Sequence, residues 1–441
     1  MTIPIVVVME NDNTETPQAR SRSAFRRKPL WITSMLVVGG LALAGCSTAA
    51  QTEAETTPST SSSTSSTSID GDAIATSSTE SGDATTTQET IADTTAAVDA
   101  FLATLTEEQI EDLTYDYDDE TKTTSWSNFP VTFVERAGLN LADLTDEQQE
   151  AAMAVLEALL SEDAYATVTS IMGGDQYLLE NSDTTETSLG QYYIAIFGEA
   201  SDTDAYSVQF GGHHLGINAD LNGTENAITF APSHLGVQPA VYTNSEGEEV
   251  QPFDDIYTDA FAFYDSLTED QQTTLTTGDV TFCAPGDTCD FETGSGLSGA
   301  DLTDEQSKLL LELIANWAGM ADEETTETEL AEIEATLDET VIAWSGETTY
   351  DMSSGDGIDF SVSGPDVYLA FQAQEGSAGA DVDGVTTSGW GHVHTIYRDP
   401  TNDYANSVEQ QAATGGMGGG EPPADGQMPE GGPDGAEESA G

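Results

Sequence analysis

Leu144-Thr145-Asp146-Glu147-Gln148 and Leu302-Thr303-Asp304-Glu305-Gln306 each read as the opening of a helix, and the same pattern stands at Leu105-Thr106-Glu107-Glu108-Gln109 and Leu267-Thr268-Glu269-Asp270-Gln271. Thr at the N-cap, Gln three residues on and two carboxylates between them make a capping box, with the acids on the positive end of the helix dipole. Four helices therefore start at these points. Apolar stripes at helical spacing extend two of them, through Ala151, Ala152, Val155, Leu156, Leu159 and Leu160, and through Leu310, Leu313, Ile314 and Trp317. A stripe at Leu330, Ile333, Leu337 and Val341 predicts a fifth.

Between the helices lie apolar runs of strand character: Tyr192–Phe197, Tyr206–Ile217, Ile358–Val362, Val367–Gln372 and Val393–Arg398. Helices followed by strands, twice over, predict an α+β fold in which helices pack on a mostly antiparallel sheet. The first and third boxes lie 162 residues apart (105 to 267) and the second and fourth 158 (144 to 302). Those near-equal offsets raise an internal duplication; against it, capping physics is local and recurs by convergence.

Charge narrows the partners. The chain has 441 residues and a formal net charge of -71. Its 80 acids, less Glu10, Asp12 and Glu15, leave 77 beyond residue 45, facing only Lys122, Arg136, Lys308 and Arg398. Such a surface repels phosphate backbones and anionic headgroups, so nucleic acid is excluded as a partner and so is charge-driven membrane binding.

Arg20, Arg22, Arg26, Arg27 and Lys28 precede an apolar run from Leu30 to Ala44 that closes on Leu43-Ala44-Gly45-Cys46. Basic, apolar, then small residues is the order of an export signal, and the run is too short and Gly-rich for a comfortable membrane span. Residues 1–45 are expected to be a signal peptide. Leu-Ala-Gly-Cys resembles the bacterial lipobox, which implies that Cys46 carries a lipid and anchors the exported protein to the cell membrane. Residues 46–90, rich in Ser and Thr, read as a disordered tether, 91–406 as the folded domain and 407–441, rich in Gly, Pro and acids, as a disordered tail. Cys283 and Cys289 then remain, in Cys-Ala-Pro-Gly-Asp-Thr-Cys, and a local disulfide is the natural reading in an oxidising compartment. A metal site on this pair is the alternative, with no second Cys pair to complete it.

Of five His, four fall in two clusters, Gly211-Gly212-His213-His214-Leu215-Gly216 and Gly391-His392-Val393-His394-Thr395-Ile396-Tyr397-Arg398-Asp399-Pro400. On a strand His392 and His394 share a face, as two ligands of one metal require, whereas His213 and His214 point oppositely unless the glycines form a bulge. Three imidazoles with an open position suit zinc or copper, and Asp399 or Asp403 would complete or orient the site. Structural His beneath Gly-rich turns is the competing reading, and His234, standing alone, is read as structural. Arg398 is expected to fork to Asp399, Asp403 or an anionic substrate, and Arg136 invites the same argument. No serine elbow, phosphate loop or dinucleotide glycine pattern occurs.

Trp126 with Phe129-Pro130, Arg136-Ala137-Gly138-Leu139, the Gly-Gly-His-His-Leu-Gly-Ile-Asn segment (211–218) and the closing His-Val-His-Thr-Ile-Tyr-Arg-Asp-Pro-Thr-Asn-Asp-Tyr (392–404) together resemble the secreted proteins of domain-of-unknown-function family 3500. The likeness runs in order over about residues 95–405. Tyr206-Ser207 stands where an aromatic commonly precedes the Gly-His-His segment, and Ala405 replaces a Gly after the final Asp-Tyr. The resemblance implies one family domain with the two His motifs as its signature; it implies no activity.

Three functions fit. A surface metal-dependent hydrolase or oxidative enzyme would use His392, His394 and one of His213 or His214 as ligands, Asp403 or Asp399 as base and Arg398 on substrate. A binding lipoprotein would hold a metal or small ligand with the same residues. A structural surface protein needs no site.

Overall fold

The computed structural model describes residues 86–410 apart from 184–187, 276–279, 286–288, 292–294, 354 and 375–388. The expected signal peptide, Cys46, most of the tether and the tail beyond residue 410 lie outside the described residues. The last residues of the expected tether belong to the fold: the first helix begins at Thr87, and the Thr90 hydroxyl donates to buried Asp322 at 2.9 Å.

The first half of the domain runs α1 (Thr87–Leu102), α2 (Glu107–Leu113), β1 (Thr114–Tyr115), β2 (Leu139–Asn140), α3 (Asp146–Leu159), α4 (Glu162–Asn181), β3 (Tyr193–Phe197), β4 (Ala205–Gly211), β5 (Leu215–Asn222), β6 (Ala227–Thr229) and β7 (Ser233–Val237). After a small hairpin of β8 (Tyr242–Thr243) and β9 (Glu249–Val250), the second half runs α5 (Asp254–Ser266), α6 (Glu269–Gln272), β10 (Leu297–Ser298), α7 (Asp304–Ala318), α8 (Glu323–Thr336), β11 (Val341–Gly346), β12 (Ile358–Ser363), β13 (Tyr368–Gln374) and β14 (His392–Arg398). The order of elements repeats, with β1 and β6 additional in the first half: a helix, a capping-box turn, a short strand, two helices and a four-strand meander.

All four capping boxes form, and each does more than start its helix. Gln148 Nε2 donates to Gln109 Oε1 at 3.1 Å and to the Thr104 carbonyl at 3.0 Å; Gln306 Nε2 donates to Gln271 Oε1 at 3.0 Å and to the Ser266 carbonyl at 2.8 Å. The paired boxes thus lock two helix starts together in each half. The helix opened by Thr268 forms and lasts a single turn, because Thr273 and Thr274 follow, and β-branched residues propagate a helix poorly. Two expectations are corrected. Val341 leaves the helical stripe and starts β11, with Leu337 in a 3-10 turn. The run Tyr206–Ile217 is a hairpin of β4 and β5, turned at Gly212-His213-His214. No helix among the described residues is long and apolar enough to cross a membrane.

The main sheet has the order β1-β3-β4-β5-β7-β14-β13-β12-β11-β10, antiparallel except for β1 on β3. The two meanders therefore meet at its centre, where β7 and β14 pair with Val237 opposite Val393 and Gly236 opposite His394. Alternation along β14 sets the faces. Val393 and Tyr397 join the core beneath the helices, with Ile217, Leu235, Leu369 and Trp317. Ile396 points the other way, into a second cluster with Trp126, Phe282, Cys283, Tyr368 and Ala370. That second face is rich in polar side chains and is roofed by loops, one of them closed by the Cys283–Cys289 disulfide.

Candidate metal centre

The two His clusters, far apart in sequence, meet where the two halves join. His392 and His394 project from β14 on the loop-covered face, and the β4–β5 hairpin brings His213 and His214 to them. Adjacent His are expected to diverge unless the glycines break the strand, and the hairpin breaks it there: outside a strand there is no alternation to separate them, and the rings stack 4.1 Å apart. Gly212 permits the turn, since a Cβ there would lie 2.7 Å from the Gln191 carbonyl oxygen. Its own carbonyl is gripped by Arg136, whose Nη2 also donates to the carbonyls of Ser127 and Phe129 at 2.9 and 2.7 Å. Arg136 therefore braces the hairpin with carbonyl partners and binds no acid through these bonds.

His392 Nε2 lies 3.2 Å from His214 Nε2 and 3.1 Å from His394 Nε2. Donors about 2.0–2.1 Å from one tetrahedral ion stand roughly 3.3 Å apart, so these separations suit ligands of a single metal. Ligand atoms of His213, His214 and His394 also lie within 4.8 Å of one another. Hydrogen bonding explains the arrangement less well, because a single N–H on His392 serves only one of its two close contacts with good geometry.

Asp175 fixes the tautomer of His214. Its Oδ1 lies 2.6 Å from His214 Nδ1, while Tyr192 donates to Oδ2 at 2.7 Å. An Nδ1–H given to the carboxylate leaves Nε2 bare and aimed at His392, the carboxylate–histidine arrangement of metal sites. Burial pushes Asp175 up to about 6, with His213 and the Tyr192 hydroxyl pulling the other way. Burial likewise depresses every imidazole, His214 to about 3 and His234 to about 4, and the others well below the usual range. The rings are thus neutral near pH 7, the form that binds metal.

His234, expected to stand alone, lies beside the centre with its ring 5.3 Å from that of His394. Its Nδ1 donates to the Thr395 carbonyl at 2.7 Å, and its Nε2 is buried without a partner, as is His213 Nδ1. Gly236 makes room for both rings: a Cβ there would meet His394 Cδ2 at 3.1 Å and His234 Cε1 at 3.2 Å.

Arg398, Asp399 and Asp403 are not brought to the histidines. Arg398 lies four residues beyond His394, about 13 Å along an extended strand. It is fully buried, its Nε donating to Asp403 at 2.6 Å and its Nη1 to the Cys283 carbonyl. Asp399 accepts from the backbone of Thr401 and Asn402 at 2.8 and 3.0 Å, which closes the turn after β14. The closing motif thereby ties β14 to the disulfide loop, and its Tyr404 hydroxyl accepts from Trp126 Nε1 at 2.9 Å.

Asp175, Tyr192 and Gln374, whose amide lies 3.2 Å from His392 Nδ1, carry parts of the centre that the motifs did not mark. For Asp175 a signal existed: it occupies the buried stripe of α4, between Ile171 and Leu178, where an acid is out of place.

The family model described as "Protein of unknown function (DUF3500)" matches residues 87–406. The chain belongs to this family. No curated protein and no solved structure matches it. The DUF3500 match begins on the first residue of α1 and ends in the turn after β14, so the family unit is the whole two-meander fold with its histidines at the seam. In this DUF3500 domain a cluster of imidazoles able to hold a metal ion is present.

Proposed function

We propose that this domain is a metal-binding module of the cell surface, holding zinc or copper between its two halves through His213, His214, His392 and His394. The observation that carries the reading is the set of Nε2 atoms at 3.1 and 3.2 Å, with Asp175 turning His214 toward them. An all-imidazole donor set suits zinc and copper and offers little to magnesium or calcium, which prefer oxygen. The binding reading goes further than the enzymatic one. Four neighbouring imidazoles favour holding an ion over leaving a substrate position, and the expected base and substrate clamp, Asp399, Asp403 and Arg398, serve the turn after β14.

Export and a lipid on Cys46 fit this role. The basic, apolar and small-residue order before Cys46 supports anchoring, and the Cys283–Cys289 disulfide supports an oxidising compartment. Such a module would present the ion or a small metal complex outside the membrane. The test is elemental analysis of protein purified without a His tag, beside His392→Ala and His394→Ala variants. About one equivalent of zinc or copper in the wild type, lost in both variants, is expected; a metal-free wild type that takes up neither ion overturns the reading. Replacing Cys46 with Ser should free the protein from membranes, and unchanged fractionation removes the anchor.

A further inference from the structure

The histidine centre leaves one buried group of reactive side chains unused, and it lies under the loop that carries Trp126 and Arg136. Lys122, in a 3-10 turn of the segment between β1 and β2, has no exposed surface. Its Nζ lies 3.1 Å from Asp220 Oδ1 on β5 and donates to the hydroxyls of Ser207 and Ser407, each at 2.8 Å. Ser207 stands on β4 directly across from Asp220 and donates to the same Oδ1. The rings of Tyr117 and Phe197 enclose the ammonium, 4.2 and 5.5 Å from Nζ. Asp220 Oδ2 is buried.

We propose that Lys122 and Asp220 are joined by an intramolecular amide between Nζ and Cγ, which staples the β1–β2 loop to the sheet. The ammonium passes one proton to the carboxylate across the existing contact, giving an amine and a carboxylic acid. The Nζ lone pair then attacks Cγ, a C–O bond breaks, and the departing oxygen leaves as water with the acid proton and one from nitrogen. An ammonium and a carboxylate thus become an amide and one water, with no oxidant or co-reactant. Ser207, bonded to both Nζ and Oδ1, is placed to relay the proton from nitrogen to the leaving oxygen, and Oδ2 remains as the amide oxygen.

The environment favours the neutral partners that react. Two charges held out of water carry a desolvation cost that their attraction repays only with excellent geometry, and an amide removes both charges. Burial pushes the Lys122 ammonium down, against the pull of Asp220, and pushes the Asp220 carboxyl up, against the pull of Lys122. The staple also has a purpose within the fold: the loop it fixes supplies Arg136, which grips the Gly212 carbonyl beside His213.

The test is the intact mass of the wild-type chain, followed by proteolytic mapping of the oxidised protein. A mass one water below that calculated for the mature chain with its processing and disulfide, together with a branched peptide joining the Lys122 and Asp220 segments, is expected, and Lys122→Arg should show the full mass calculated for its own mature chain. A wild type at full mass overturns the proposal. So does a missing water located at another residue while Lys122 and Asp220 are recovered in linear peptides. Because the deciding measurement is made on the wild type, misfolding of the variant leaves the answer intact.

Discussion

Asp175 decides which nitrogen His214 presents to the centre, so its effect on metal binding should exceed its contact with any ion. Asp175→Asn keeps the volume and removes the charge that fixes the Nδ1–H tautomer; partners of this kind are worth about 10–100-fold in metal affinity. Competition with a chromophoric chelator should show a loss of that size, and equal affinity in the two proteins would remove Asp175 from the centre. A second acid, half-buried, acts on stability instead. Glu329 on α8 is pushed up to about 8, first by burial and then by Asp399 and Glu332. A carboxyl whose folded value lies above its unfolded value of 4.5 favours the fold while protonated, and that contribution is lost as pH rises from about 4.5 to about 8. Glu329→Gln should therefore be more stable than wild type at pH 8 and no more stable at pH 4 in urea melts. A difference that does not change with pH would show that Glu329 ionises as freely in the fold as in the unfolded chain.

The disulfide segment packs against the histidines, with Phe282 edge-on to His394 at 6.0 Å and the Cys283 carbonyl held by Arg398. Cys283→Ser with Cys289→Ser releases a short loop, for which restriction of the unfolded chain contributes about 2 kcal/mol. Urea midpoints should fall accordingly, and metal affinity should fall with them if the loop roofs the centre; an unchanged midpoint would mean the roof is held by packing alone. Elements with a local signal were legible in the sequence. The capping boxes at Thr106, Thr145, Thr268 and Thr303 name their helix starts because Thr and Gln satisfy the first free N–H groups on their own. The hairpin at Gly212-His213-His214 was not legible, since the apolar run continues through it and only pairing of β4 with β5 divides it. Of the centre, the four clustered His could be named, but their meeting depends on β7 pairing with β14, a contact between halves that no local pattern encodes. His234 escaped for the same reason, being placed by its partners across the fold, whereas Asp175 left a local trace as an acid in the buried stripe of α4. Arg398 and Asp403 drew attention by rarity and motif, and the structure spends them on the turn.

At the scale of the molecule the dominant quantity is charge, and its arrangement is one-sided. Of the four bases beyond residue 45, Lys122, Arg136 and Arg398 are buried, which leaves Lys308 as the exposed base among the described residues, 3.3 Å from Glu312. An exposed pair of that kind contributes at most about 1 kcal/mol, so almost nothing on the surface offsets the acids. Helix dipoles help locally, because the first turns of α2, α3, α6, α7 and α8 each hold two acids on a positive helix end. The rest repel one another through water. Dissolved cations weaken that repulsion over a Debye length of about 10 Å at 0.1 M salt and about 3 Å at 1 M, and the unfolded chain, with its charges farther apart, gains less from them. Thermal unfolding should therefore move to higher temperature as sodium chloride rises through this range, most steeply at the low end. Acidification works in the same direction by removing charge until the carboxylates that serve the fold are themselves protonated. A midpoint that stays flat with salt would mean that the carboxylates of the folded domain stand too far apart to interact and that the net charge acts on solubility alone.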